Sequence, residues 1–466
     1  MISGLSNKII RYKDEMLEDV IKLVQIESSR EKACDGMPFG EGPAKALEFC
    51  LNLGKSFGFD TKNVDNYAGH IEYGEGEELL GILAHVDVVP PGDGWTMPPF
   101  GGEIKDGRIY GRGTMDDKSA IIAAIYCLKV MRDLEIKPKM KIRVIVGASE
   151  ETGMEDMEYY FSKEQLPDYA FTPDSEYPIC NREKGILRIS VSKKSDSIED
   201  KKIINFMSGR ASNMVPDTAQ ADINCTNNEI LKINTLIKQY KNVTFEVSKS
   251  ESNAVSVRCF GKAAHASEPE QGENSASYLI DMLAKVFDKN ILGSFFEFLN
   301  NAISLELDGS GMGVACDDEQ SGKLTLNLGI VNVDEKNSKA SIDIRYPITA
   351  NSAGIIEKIT LKAHQFGLET TIIDDVPPLF VPQDSILIKK LSHAFETVTG
   401  QKAELFSTGG GTYARALKNR GVAFGAGFKS LSYYNIHAAD EFLIIDEFIK
   451  HCEICLQAIY EISINN

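Results

Sequence analysis

Apolar and polar positions follow two regimes along the chain. Residues 14–26 and 44–57 carry apolar side chains at helical spacing, which predicts two amphipathic helices. Strand and helix signals then alternate to about Asn181. They include the unbroken apolar run Leu79-Leu80-Gly81-Ile82-Leu83, a helix-like stretch over 119–125 and a β-rich stretch over 141–146. Continuous apolar strands separated by helices predict an α/β layer built on a mostly parallel sheet, because such strands are buried on both faces. From Lys184 the character changes. Longer β-type stretches cover 186–191, 219–223, 255–260, 324–331 and 340–346, with helices expected only at 228–240, 276–287 and 353–366. Many strands with few helices predict an α+β region. After Val376-Pro377-Pro378-Leu379 the chain resumes with helix, glycine-rich loop, strand and helix.

At 466 residues the chain exceeds a single core of usual size, so two or more domains are expected. With 43% hydrophobic and 25% charged residues, the composition is that of a globular protein. The longest apolar runs fall far short of the ~18 residues a membrane helix needs. Met1-Ile2-Ser3-Gly4-Leu5 lacks a secretory pattern, so a cytoplasmic location with no membrane contact is expected. The 50 basic residues face 68 acidic ones, and a net charge of -18 argues against a nucleic-acid partner. Nine scattered cysteines fit a reducing compartment rather than a disulfide framework. Cys452 and Cys455 have C-x-x-C spacing, but they lie in a helical stretch without a second pair, which favours helix packing over structural zinc.

Candidate chemistry gathers where strands should stop. His85 and Asp87 close the first apolar run, and residues two apart on a strand project from one face. A glycine-broken loop, Gly111-Arg112-Gly113-Thr114-Met115-Asp116-Asp117-Lys118, leads into the helix after it. Ser149-Glu150-Glu151-Thr152-Gly153 follows the next strand, Phe171-Thr172-Pro173-Asp174 ends another, and Asn435-Ile436-His437-Ala438-Ala439-Asp440 offers a late histidine. One sheet edge can collect all of these. Two divalent metals need such nitrogen and oxygen donors from separated points, plus a bridging carboxylate.

This order and spacing resemble the co-catalytic zinc peptidase clan that includes aminoacylases, carboxypeptidase G and dipeptidase V. Pro90-Pro91-Gly92-Asp93-Gly94-Trp95-Thr96, Gly107-Arg108-Ile109-Tyr110-Gly111-Arg112-Gly113 and Asp174-Ser175-Glu176-Tyr177-Pro178 resemble the dipeptidase V branch, the Sapep-type metal-dependent dipeptidases. The resemblance implies two divalent metal ions, zinc first and manganese as the alternative. His85, Asp116 and Asp174 would hold one ion; Glu151, His437 and the bridging Asp116 would hold the other. It implies Glu150 as general base and Asp87 as the carboxylate that orients His85. Asp116 is chosen over its neighbour Asp117 because the bridging aspartate of the family lies two residues before a lysine, here Lys118.

The resemblance also implies a discontinuous catalytic domain, 1–183 plus 380–466, and an inserted lid domain, 184–379. The fold class is thus an α/β, zinc-peptidase-like catalytic domain with an inserted α+β lid. In the lid, His265 would stabilise the oxyanion, Arg345 would clamp the free carboxylate of a short peptide, and Asn213 would lie near the substrate. Gly410, in a glycine triplet, would let substrate approach the main chain. A monomer is expected, because the enlarged lid of dipeptidase V occupies the space of a dimer partner. His70, His364, His393 and His451 have no matching context and are taken as structural or surface residues.

The activity these readings imply is metallopeptidase hydrolysis of dipeptides with free termini. An N-acyl or N-succinyl amino acid deacylase of the same clan would share the metals and the base. A non-catalytic metal- or ligand-binding protein would be expected to have lost Glu150 or a ligand position, and neither is lost.

Overall fold

The computed structural model describes residues 4–194, 202–249 and 254–464. The chain divides into two compact units: Met1–Arg182 with Leu379–Phe406 and Gly411–Asn466, and Glu183–Pro378 with Ser407–Gly410. Residues 1–3 and 465–466, the outer ends of the expected catalytic domain, lie outside the described residues. The sequence reading gave residues 407–410 to that domain. They pack instead with the second unit, where the Lys184 amide donates to the Thr408 carbonyl and Arg345 donates to that of Gly409.

The first unit is built on a sheet ordered Asp60–Val64, Ala68–Tyr73, Lys141–Gly147, Leu79–His85, Tyr169–Thr172, Gly421–Ala423, Ile179–Glu183 and Leu379–Phe380. The four strands from Lys141–Gly147 to Gly421–Ala423 run parallel, and antiparallel pairs flank them. Burial explains the parallel centre: every residue of Leu79–His85 is buried, as an apolar strand covered on both faces must be. Helix Lys118–Asp133 is buried nearly all round, and Ala120, Ala123 and Ala124 leave room for close neighbours. Helix Ile445–Ile464 packs on it, bringing Cys452 and Cys455 beside Cys127 as free thiols within ordinary helix packing.

The second unit carries an eight-stranded antiparallel sheet ordered Thr244–Lys249, Val255–Phe260, Thr218–Ile223, Ile203–Ser208, Thr325–Val333, Asn337–Tyr346, Gly185–Lys194 and Glu369–Val376. Thr218–Ile223 alternates, burying Ala219, Ala221 and Ile223 in the core that helix Ser275–Val286 shares. Thr226 and Glu229 form a reciprocal capping box at the start of helix Asn227–Leu236. No helix among the described residues is long and apolar enough to cross a membrane.

Candidate active site

Three neighbouring parallel strands deliver the chemistry to one edge. His85 is the last residue of Leu79–His85, Glu150 and Glu151 follow Lys141–Gly147, and Asp174 follows Tyr169–Thr172. Asp116 sits just before helix Lys118–Asp133, whose N-terminal dipole favours carboxylates. His437 arrives from a loop in which Asn435, His437 and Asp440 all adopt positive φ. Asp440 anchors that loop by accepting the Thr96 amide at 2.8 Å.

The carboxylate of Asp116 lies between two imidazoles. Its Oδ1 is 3.0 Å from His85 Nε2, and its Oδ2 is 3.0 Å from His437 Nε2. Asp174 Oδ2 stands 4.0 Å from His85 Nε2, and Glu151 Oε1 stands 3.0 Å from His437 Nε2. The five residues expected to hold metal are therefore brought together in two groups that share Asp116. Donor atoms of His85, Asp116 and Glu151 all lie within 4.8 Å of one another, as do those of His85, Asp117 and Asp174.

The electrostatics are those of a site short of positive charge. Burial, and then the neighbouring carboxylates, raise the pKa values of Asp117, Glu150, Glu151 and Asp174. Burial opposes charge on the imidazoles too, yet Asp116 and Glu151 push His437 up to about 11. Asp116 and Asp87 likewise lift His85 above its ordinary range. Burial also works against Asp116, but His437 and His85 hold it well below the usual carboxylate range. The fit to divalent cations is direct: mixed nitrogen and oxygen donors converge, and the fully buried His85 Nε2 faces the carboxylates of Asp116 and Asp174.

Much of the site is held by residues to which the sequence reading gave no role. Glu441, fully buried, accepts the amides of Gly113, Met115 and Asp116 on Oε1 and pairs through Oε2 with buried Arg112 at 2.7 Å. One side chain thereby fixes the loop that presents Asp116, from a position four residues after His437. Asp156 accepts the Ala148 and Ser149 amides and the Tyr413 hydroxyl, bracing the turn before Glu150. Lys118 Nζ donates to the Ile26 carbonyl at 2.7 Å. Only burial and long-range partners reveal these roles; the single signal in the sequence was the closeness of Glu441 to His437.

Asp87 divides its duties. Its carbonyl is 2.9 Å from His85 Nδ1, while its carboxylate stands 3.5 Å from that nitrogen and accepts the amides of Glu150 and Glu151 at 3.0 and 3.1 Å. It thus fixes the ring of His85 and the backbone of the glutamate pair together.

The second unit gathers its own candidates. His265 lies on a short ribbon paired with Met214, and the Ala266 amide donates to the Asn213 carbonyl at 2.9 Å. Arg345 is buried, with its Nε and Nη2 on the Asp343 carboxylate and Nη1 donating to Gly409 O at 2.8 Å. Asp343 therefore occupies one edge of the guanidinium expected to clamp a peptide carboxylate. The Gly410 amide donates to Thr408 Oγ1 at 3.0 Å.

The sequence profile of peptidase family M20/M25/M40 matches residues 81–461. "Putative dipeptidase YtjP" of Bacillus subtilis is 38% identical over 464 residues, spanning 98% of this chain and 99% of that protein. "Putative dipeptidase SH1171" of Staphylococcus haemolyticus is 35% identical over 469 residues, with coverage of 98% and 99%. Human carnosine dipeptidase 1 shares the fold at a TM-score of 0.58 and 14% identity, covering 99% of this chain and 100% of its own. A Staphylococcus aureus tripeptidase does so at 0.58 and 15%, with coverage of 97% and 98%. The resemblance read from the motifs and the α/β-plus-insert fold class are both borne out. The chain belongs to peptidase family M20/M25/M40 and is a hydrolytic peptidase.

Proposed function

We propose that the protein is a dipeptidase that cleaves the peptide bond of dipeptides with free termini, using two divalent metal ions, zinc or else manganese. The observation that carries this reading is the placement of Asp116, with one carboxylate oxygen 3.0 Å from each of two imidazoles. His85, Asp116 and Asp174 would hold one ion, and Asp116, Glu151 and His437 the other. When bound, the ions supply Lewis acidity and make water a competent nucleophile near neutral pH.

The chain's own residues do the rest. Glu150 takes the proton of the attacking water and returns it to the leaving amine. Its backbone, pinned by Asp87, keeps it beside the cluster. His265 of the inserted unit donates to the developing oxyanion, a contact that strengthens only as charge builds. Arg345 binds the free carboxylate of the substrate, with Asn213 and Gly410 shaping its surroundings. The nine free cysteines support a reducing, cytoplasmic setting.

The test is hydrolysis of a dipeptide panel beside N-acetyl and N-succinyl amino acids, with metal-stripped protein restored with zinc or manganese. Turnover of dipeptides is the expected result. Turnover of acyl amino acids alone would overturn the substrate assignment and move the protein to the deacylase reading. Metal analysis of His437→Ala is expected to show one equivalent fewer than the parent, and unchanged content would sink the ligand assignment.

A further inference from the structure

We propose that Ser267 is a positioning residue that fixes which nitrogen of His265 carries the proton, presenting Nε2–H to the substrate. This inference rests on the reading that His265 serves the oxyanion.

The geometry singles out one tautomer. The Ser267 backbone N–H points at His265 Nδ1 at 3.3 Å, and the Ser267 hydroxyl oxygen lies 2.6 Å from the same nitrogen. A main-chain N–H can only donate, so its approach selects the tautomer in which Nδ1 is the acceptor. The hydroxyl rotates to share that lone pair as a second donor, and at 2.6 Å against 3.3 Å it makes the stronger of the two contacts. In a neutral imidazole the remaining proton sits on Nε2. The opposite tautomer would set Nδ1–H against the amide N–H and turn a bare lone pair toward a negatively charged oxygen.

Ser267 is itself held in place. A Cβ at residue 409 would come within 2.7 Å of the Ser267 Cβ, so Gly409 leaves room for no more than hydrogen there. Thr325 Oγ1 donates to the Ser267 carbonyl at 3.4 Å, and the Gly409 carbonyl takes the Arg345 guanidinium at 2.8 Å. The ribbon pairing of Met214 with His265 fixes the other side. His265, Ser267, Gly409 and Arg345 thus form one connected set, and Ser267 sets the proton on His265 through its hydroxyl and its amide together.

The tautomer is read directly by long-range proton–nitrogen NMR on the full-length, metal-free chain with labelled histidine, at a pH where the ring is neutral. There are seven histidines, and His265→Gln assigns the signal. The expected spectrum shows Nε2 protonated and Nδ1 bare, and Ser267→Ala, which keeps the long amide contact and loses the short hydroxyl one, admits a share of the Nδ1-protonated form. On a dipeptide substrate, Ser267→Ala is expected to lower kcat by up to about tenfold with KM little changed, the scale of one hydrogen bond. In a His265→Ala background the same substitution should cost nothing further. A proton found on Nδ1, an undiminished kcat in Ser267→Ala, or losses that simply add would overturn the proposal. Full activity in His265→Ala would instead remove the oxyanion reading, and the tautomer measurement would still stand on its own.

Discussion

The two units hold their reactive groups in opposite ways. In the first, Asp116 is steadied by Glu441, a residue 325 positions away in sequence, and the Glu150–Glu151 turn is steadied by Asp87, at separations of 63 and 64. In the second, His265 is steadied by Ser267, two positions on. The buried cluster gathers groups that repel one another, so its geometry must be imposed by the whole sheet edge. The exposed imidazole of His265 takes its direct partner from two residues on, in the turn that follows its short strand. Long-range bracing therefore follows where charge is crowded, and local bracing suffices where solvent shares the load.

The largest effect expected to sharpen this contrast is at Glu150. Glu150→Gln should retain metal and lower kcat by roughly 10²–10⁴, the range for a general base, as measured by metal analysis and steady-state kinetics. Next is Glu441→Ala, which strands buried Arg112 and three amides. It should cost about 3–5 kcal/mol in urea unfolding of the metal-free protein. A loss below about 0.5 kcal/mol, the level of a surface substitution, would break the contrast.

The first unit should also be the more acid-sensitive. Burial, and then the charge of Arg143, press buried His70 down to about 4 from 6.5. Above pH 6.5 the ring is neutral whether the chain is folded or not. Between 6.5 and about 4 only the unfolded chain takes the proton, so stability falls as pH falls through that window. The loss amounts to about 3 kcal/mol, and His70→Gln should flatten that part of a pH-dependent unfolding series. The smallest effect belongs to a local device of the second unit. Thr226→Ala should cost about 1 kcal/mol through its capping box, with the active-site kinetics unmoved.

The same contrast governs what could be read from the sequence. The strands of the first unit were legible because a fully covered strand is a continuous apolar run, as in 79–83. His85, Asp116, Glu151, Asp174 and His437 were legible as a set because their types and order resemble a known family. Glu441, Asp156 and Tyr413 were not. A glutamate beside Asp440 looks like any solvated acid until three amides and a guanidinium from far along the chain converge on it. Arg345 stands out in its motif as a candidate carboxylate clamp, but its pairing with Asp343 two residues earlier on the strand emerges only in the folded chain. The polar strand Asp60–Val64, mostly exposed at the sheet margin, carries too little apolar signal to announce itself.

The excursion of Ser407–Gly410 into the second unit sets a limit on modular engineering. A fragment cut as 183–378 would look like a complete insert, able to be grafted or produced alone. It would nonetheless leave behind the Gly409 carbonyl on which Arg345 rests and the Thr408 carbonyl that takes the Lys184 amide. A transplant of this insert must therefore carry a second, four-residue graft.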